Sequence, residues 1–254
     1  MVASPALDQP APRIGLRGWT RTMLRVAAMA VLLLICAPLH LLTRLIADSR
    51  FFARLFLTGI GWLAGMDIRV HGRPAPHALL LANHVSWMDI PALAQAAGCA
   101  FIAHDGLAGH PFLKWLCEMN DTVFIARHER TTVAGQVAEI RAALAGASRL
   151  TIFPEGTTSD GTTTLPFKSA LLSAIDPPPP GIAVQPVVLV YDEAPHVSWV
   201  GDEPGLDNFR RILARARSVR LDIHFLPPLT GPALAGRKAM AQAAQGAIRA
   251  RLPA

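Results

Sequence analysis

In the stretch LANHVSWMDIPAL, which runs from Leu81 to Leu93, a histidine and an aspartate, His84 and Asp89, stand five apart between two apolar runs. A carboxylate bonded to one imidazole nitrogen leaves the other as a proton acceptor, and such a pair works as a general base near neutral pH. On one regular helix, five residues at about 100° each would set the two side chains about 140° apart, too far to touch. The pair therefore needs His84 before the helix, with the helix starting between Ser86 and Asp89. Ser86 is a candidate N-cap, and the helix dipole favours Asp89 in a first turn. A capped helix behind a strand-end histidine accounts for the same spacing without chemistry.

Three further stretches carry polar residues beyond apolar runs. LTIFPEGTTSDGTTTLPFKSALL, from Leu150 to Leu172, passes from a strand into Glu155 and Gly156, then the hydroxyls of Thr157 and Thr158, with Lys168 opening the next helix. Backbone amides around a glycine with hydroxyls beside them can hold an oxygen-rich head group or an oxyanion, and Glu155 can take a hydroxyl; a plain turn is the alternative. DTVFIARHERTT places Arg127 at a strand end beside His128 and Arg130. An arginine there suits a phosphate or carboxylate fork, or is a solvated loop cation. In GIAVQPVVLV, Pro186 interrupts a strand, which ordinarily marks a bulge or an edge.

These residues must be positioned by the elements around them. From Met66 onward, short apolar runs alternate with helical patterns. DIRVHG and ALLLAN read as strands around a turn at RPAP, and CAFIAH, DTVFIA, RLTIFP, GIAVQPVVLV and VRLDIHFLP follow as further strands. Helical patterns fall in IPALAQAA, PFLKWLCEM, TTVAGQVAEIRAALAG, LDNFRRILARARS and GRKAMAQAAQGAIRARL. The alternation predicts an α/β fold: a single domain over residues 66–254 with a mixed, largely buried sheet flanked by helices. In such sheets, functional residues collect at strand ends.

Ahead of that domain the composition is different. Residues 1–21 read as a mobile tail and 22–65 as a two-helix membrane-anchoring element: VAAMAVLLLICAPLHLL, from Val26 to Leu42, is almost unbroken apolar sequence behind arginines. An anchor is favoured over a signal peptide because more arginine, rather than a small-residue cleavage site, follows. Hydropathy does not distinguish spanning from re-entrant or interfacial helices. Up to Gly65 there are seven arginines against two aspartates, so five of the six net positive charges lie there. The positive-inside rule keeps them cytoplasmic. With the remainder nearly neutral and no basic stripe on a domain face, nucleic acid is not expected as a partner. Cys36, Cys99 and Cys117 are an odd set with no C-x-x-C spacing, which indicates neither a disulfide framework nor a zinc site.

Taken together, His84-x4-Asp89, VFIAR ending at Arg127, FPEGT from Phe153 to Thr157 followed by LPFKSA, and AVQPVVL around Pro186 resemble the glycerolipid acyltransferases. The likeness extends over Met66 to Leu229 and is strongest to bacterial 1-acylglycerol-3-phosphate acyltransferases. It implies transfer of a fatty acyl group from a thioester, on acyl carrier protein or coenzyme A, to a lysolipid hydroxyl at the cytoplasmic face of an inner membrane, with no metal or other cofactor and no acyl-enzyme. His84 would be the base, Asp89 its orienting partner, and Arg127, Glu155 and Gly156 would position the acceptor. Many relatives have Ala-Lys after the third strand and an arginine after EGT. This chain has Ala103-His104 and Thr158, so two expected cations are missing. EGTTSDG with LPFKSALL also looks like lyso-ornithine lipid acyltransferases. Because His104 can be cationic beside a dianion, lysophosphatidate is placed first, by a narrow margin. A non-catalytic lipid-binding protein is a reading of another class, and a serine hydrolase lacks its G-x-S-x-G elbow.

Overall fold

The structure is a computed structural model, and it describes residues 14–47, 49–104, 111–125, 140, 142–144 and 148–253. Two helices, α1 (Leu16–Ile46) and α2 (Phe51–Leu63), precede an α/β domain that opens with β1 (Met66–His71), β2 (Ala78–Ala82), α3 (Asp89–Ala97), β3 (Ala100–His104), α4 (Pro111–Met119) and β4 (Val123–Ile125). It continues with β5 (Arg149–Ile152), a 3-10 helix (Ser169–Ile175), β6 (Ala183–Tyr191), α5 (Ala194–Val197), α6 (Gly205–Leu213), β7 (Val219–Phe225), a short 3-10 turn (Gly231–Leu234) and α7 (Arg237–Arg249). The mixed α/β architecture read from the sequence is the one observed. The helix expected in TTVAGQVAEIRAALAG lies largely outside the described residues.

The seven strands form one sheet in the order β1-β7-β6-β2-β5-β3-β4. Every neighbouring pair is parallel except β6 with β7, so β2, β3, β4, β5 and β6 end on one side and β1 and β7 on the other. β2 lies in the middle and is buried along its whole length, as its unbroken apolar run requires. Alternate residues face opposite layers. Ala78, Leu80 and Ala82 pack with Leu93 of α3 and Ile212 of α6, whereas Leu79 and Leu81 pack with Met240, Ala244 and Ile248 of α7. Full burial of each such leucine is worth about 1.5–3 kcal/mol, which fixes the register of β2 and the place where its chain emerges.

The strands expected on either side of RPAP are β1 and β2, and they are not sheet neighbours, because β7 and β6 stand between them. Gln185 of β6 holds the crossing segment, accepting from the Ala75 amide at 2.8 Å and donating to the Arg73 and Leu226 carbonyls. Pro186 marks no edge, for β6 is an interior strand. Its carbonyl accepts from the Leu226 amide and pairing with β7 begins only at Val187–Phe225, so the missing N–H faces a level where β7 has already ended.

α1 lies along the domain, held at both ends. Arg21 donates to the Ala214 carbonyl and Arg25 to the Leu213 carbonyl, each at 2.8 Å, and Arg44 pairs with Asp121 at 2.8 Å. The first two are cations on the last turn of α6, where the helix dipole favours them. That docking extends α1 back to Leu16, into the expected tail; residues 1–13 lie outside the described residues. Thr22, Met29, Cys36, Ala37 and His40 are buried on one face, while Leu24, Val31, Ile35, Leu42 and Ile46 are exposed on the other. Phe51, Leu55 and Trp62 of α2 are exposed as well.

Candidate active site

The three adjacent strands β5, β2 and β6 end on the same side, and each delivers one part of the site. At the end of β2, Asn83 continues the ladder with its side chain: its amide donates to the Leu189 carbonyl at 3.0 Å and its oxygen accepts from the Leu189 N–H at 2.8 Å. The chain then leaves the sheet over His84 to Ser86 and starts α3 at Asp89. The His84 carbonyl accepts from the Ser159 amide at 2.7 Å and the Ser159 hydroxyl at 3.0 Å, and the Val85 carbonyl from the Trp199 amide at 3.0 Å. These bonds hold the connecting turn from both sides.

His84 precedes the helix, as the spacing requires, and folds back so that Nδ1 lies 2.7 Å from Asp89 Oδ2. The same oxygen accepts the Val85 amide at 2.7 Å and the Ser86 amide at 3.0 Å, and Oδ1 accepts the Tyr191 hydroxyl at 2.6 Å. Val85, Ser86 and Tyr191 all donate to this fully buried carboxyl group, and as an acceptor toward His84 as well it sets the tautomer with Nε2 free. The His84 side chain is 20% exposed, so that nitrogen can be reached. The ring stacks on Phe153 with centroids 4.0 Å apart and planes 16° from parallel. Burial, followed by the Asp89 charge, holds the Tyr191 hydroxyl well above its ordinary pKa, so it stays protonated and donates.

Ser86 does not cap α3. Met88 occupies the cap position without a side-chain bond, and the buried Ser86 hydroxyl has no partner among the described residues. Asp89, in the first turn, instead reaches back to the Val85 and Ser86 amides ahead of the helix, so one carboxylate serves both the turn and the imidazole.

β5 contributes Phe153 and the turn after it. The Gly156 amide bonds the Phe153 carbonyl at 3.0 Å, with Pro154 and Glu155 between them and Gly156 at φ +68°, a value that favours glycine. Glu155 is buried and its two oxygens accept the amides of His84, at 2.8 Å, and Leu165, at 2.7 Å. Burial pushes its carboxyl above the ordinary carboxylate range, and these two amides only partly offset that. Its carboxyl group ties the His84 backbone to the following loop. Lys168 lies at the start of the 3-10 helix; its amide bonds the Pro154 carbonyl at 2.8 Å, and Nζ stands 3.2 Å from where a Cβ on Gly156 would be. Thr157 is exposed, and the Thr158 hydroxyl donates to the Trp199 carbonyl. His104 ends β3, but its side chain and the whole of Arg127 lie outside the described residues.

A cavity of about 320 Å³ opens in front of His84, lined by Thr157, Thr158, Trp199, Val200, Gly201, Asp202 and Glu203. Its outer wall, the loop after α5, is fixed by α6. Arg211 donates to both Glu203 oxygens at 2.9 and 2.8 Å, Asn208 donates to one of them at 3.0 Å, and the Trp199 indole donates to the Glu203 carbonyl at 2.7 Å. Burial would raise the Glu203 carboxyl, but the Arg211 and Asn208 bonds outweigh it and leave it below its ordinary value.

Sequence reasoning found the histidine, its aspartate and the turn after β5, and missed Tyr191, Asn83, Phe153 as a stacking surface and the Trp199–Glu203 wall. A signal existed for Tyr191: it is the only tyrosine of the chain, at the end of an apolar strand. The arrangement is competent for proton abstraction from a hydroxyl in the cavity.

The acyltransferase family model matches residues 67–190, from β1 to the end of β6. A lyso-ornithine lipid O-acyltransferase of Rhodobacter capsulatus is 32% identical over 96% of this chain and 94% of its own length. A 1-acyl-sn-glycerol-3-phosphate acyltransferase of Neisseria meningitidis is 39% identical, over 53% of this chain and 54% of its own. The crystal structure of the 1-acyl-sn-glycerophosphate acyltransferase PlsC from Thermotoga maritima shares the fold, with a TM-score of 0.63 over 93% of this chain and 95% of that one at 19% identity. With a relative above 30% identity along nearly its whole length, and an acyltransferase model whose span takes in the His84–Asp89 pair, the chain belongs to the acyltransferase family.

Proposed function

We propose that this protein is a membrane-bound lysolipid O-acyltransferase whose acceptor is lyso-ornithine lipid. The pairing of His84 Nδ1 with a buried, fully bonded Asp89, with Nε2 left for the cavity, is the observation that carries the reaction. The acceptor hydroxyl gives its proton to Nε2 as its oxygen attacks the thioester carbonyl. The tetrahedral intermediate then expels the thiolate, which takes the proton back from the imidazolium. Asp89 orients the ring and stabilises its cation, and no metal or other cofactor enters the scheme. The donor is a fatty acyl thioester, on carrier protein or coenzyme A.

The choice of acceptor follows the span of the likeness. Similarity to the lyso-ornithine enzyme of R. capsulatus runs over nearly the whole chain, including the wall after β6, whereas similarity to the N. meningitidis glycerophosphate enzyme covers about half. Thr158 stands where an arginine would face a phosphate, and its hydroxyl is already used by Trp199. The roles carried forward for Thr157, Lys168, His104 and Arg127 are contacts with acceptor or donor. Glu155 acts on the site by holding the His84 backbone.

Membrane binding is assigned to the exposed faces of α1 and α2. α1 is long and apolar enough to cross a bilayer, but Arg21 and Arg44, about 35 Å apart along it, both bond the catalytic domain. A helix held so lies in the interface, with its leucine face in the lipid and its arginines toward the cytoplasmic head groups. An acceptor panel tests the proposal: the purified chain in mixed micelles with an acyl thioester should acylate lyso-ornithine lipid faster than 1-acylglycerol-3-phosphate. The reverse ranking would make it a phosphatidate-forming enzyme instead, and transfer to neither would remove the activity.

A further inference from the structure

The cavity before His84 has a charge pattern of its own. Two carboxylates, Asp202 and Glu203, line it together with the hydroxyl residues Thr157 and Thr158, and no described lysine or arginine does. Their situations differ. Glu203 is neutralised by the two-pronged Arg211 contact, with side chains that are each 21% exposed. Asp202 has no hydrogen bond or ion pair among the described residues and is exposed at the cavity mouth, on a loop that the Glu203, Arg211 and Asn208 network holds in place. An unpaired carboxylate on a fixed wall, facing a pocket that also contains the reacting histidine, selects for a cation on the molecule that enters.

We infer that Asp202 forms an ammonium-recognising subsite for the head group of the acceptor lysolipid. The inference rests on the acceptor proposed above. An ornithine head group carries a primary ammonium on a flexible carbon arm, and that arm spans on the order of 10 Å from the reacting hydroxyl when extended. A cavity of about 320 Å³ is of the size that holds such a group. The acceptor is thus held at two points, its hydroxyl at His84 and its ammonium at Asp202. A phosphate monoester in the same place would meet a negative charge. The discrimination between the two acceptors is in part repulsive, and Asp202 is a specificity residue with no part in bond making.

The test uses the full chain, two acceptors and three forms of the protein. With lyso-ornithine lipid, Asp202→Asn should raise KM about five- to tenfold and leave kcat within about twofold, and Asp202→Glu should stay near the wild type. With the same lipid acetylated on its amine, wild type and Asp202→Asn should have the same, already raised, KM. An unchanged KM of Asp202→Asn for the free amine, or an equal loss for free and acetylated acceptors, overturns the subsite while leaving the acceptor assignment standing. Failure of the wild type to acylate lyso-ornithine lipid at all overturns both.

Discussion

Replacing Asp89 with asparagine isolates charge from geometry. The introduced side chain can keep its oxygen toward His84 and the Val85 and Ser86 amides, and can turn its NH₂ toward the Tyr191 oxygen, at the cost of the bond that the Tyr191 hydroxyl now donates. The turn should survive, with a stability loss of about 1–3 kcal/mol from weaker bonds to a neutral acceptor. What disappears is the counter-charge to the imidazolium. For charge centres about 4 Å apart at an effective dielectric of about 20, that is about 4 kcal/mol, or roughly a thousandfold in kcat. The perturbation next to it scales down: Tyr191→Phe strips Oδ1 of its only partner among the described residues but leaves the charge, and should cost about tenfold in kcat. Release of free thiol from the acyl thioester reports turnover for either kind of donor, with thermal unfolding run in parallel. Asp89→Asn within tenfold of the wild type would refute the electrostatic role. Loss of all ordered structure in that variant would show that the carboxylate is needed for the turn before it is needed for the base.

The remaining predictions concern the support and the surface. Glu155→Gln places an amide N–H₂ against a backbone donor, that of His84 or Leu165, and should lower stability by about 1–3 kcal/mol in urea unfolding, with kcat falling because the His84 backbone is released. Since burial raises the Glu155 carboxyl, the protonated form favours the fold. The advantage of wild type over Glu155→Gln should therefore be full below the ordinary carboxylate pKa and shrink as the pH rises through the raised value, which unfolding curves at several pH values will read. On α1, the double change Val31→Glu with Leu42→Glu should weaken sedimentation with anionic vesicles while leaving turnover on short-chain soluble acceptors unchanged. Undiminished vesicle binding would place the membrane contact elsewhere.

How far the sequence could be read depends on how local each feature is. The apolar run of β2 and the period-two alternation of β7 are local, and both were legible as strands. The five-residue spacing of His84 and Asp89 already placed the histidine ahead of the helix. Pairing was not legible: nothing local to DIRVHG, RPAP and ALLLAN shows that β6 and β7 pack between the two strands. Ser86 had the right type and place for a cap, but the helix starts two residues later, with Met88 at the cap position and Asp89 bonding back to the turn. Tyr191 lies 102 residues from Asp89 and the Trp199–Glu203 wall follows a different strand from His84, so no spacing rule could have joined them. Thr158 and His104 were visible as departures, but the charge pattern of the cavity exists only once the loop after α5 is folded against α6.

The most direct test of the account is acyl transfer to lyso-ornithine lipid by wild type and His84→Ala, measured on protein whose unfolding midpoints are compared. His84→Ala removes Nε2 and leaves the backbone amide that bonds Glu155. The account predicts at least about a thousandfold loss of turnover with the unfolding midpoint nearly unchanged. Turnover by His84→Ala within tenfold of the wild type would contradict it, and the base would have to be another group.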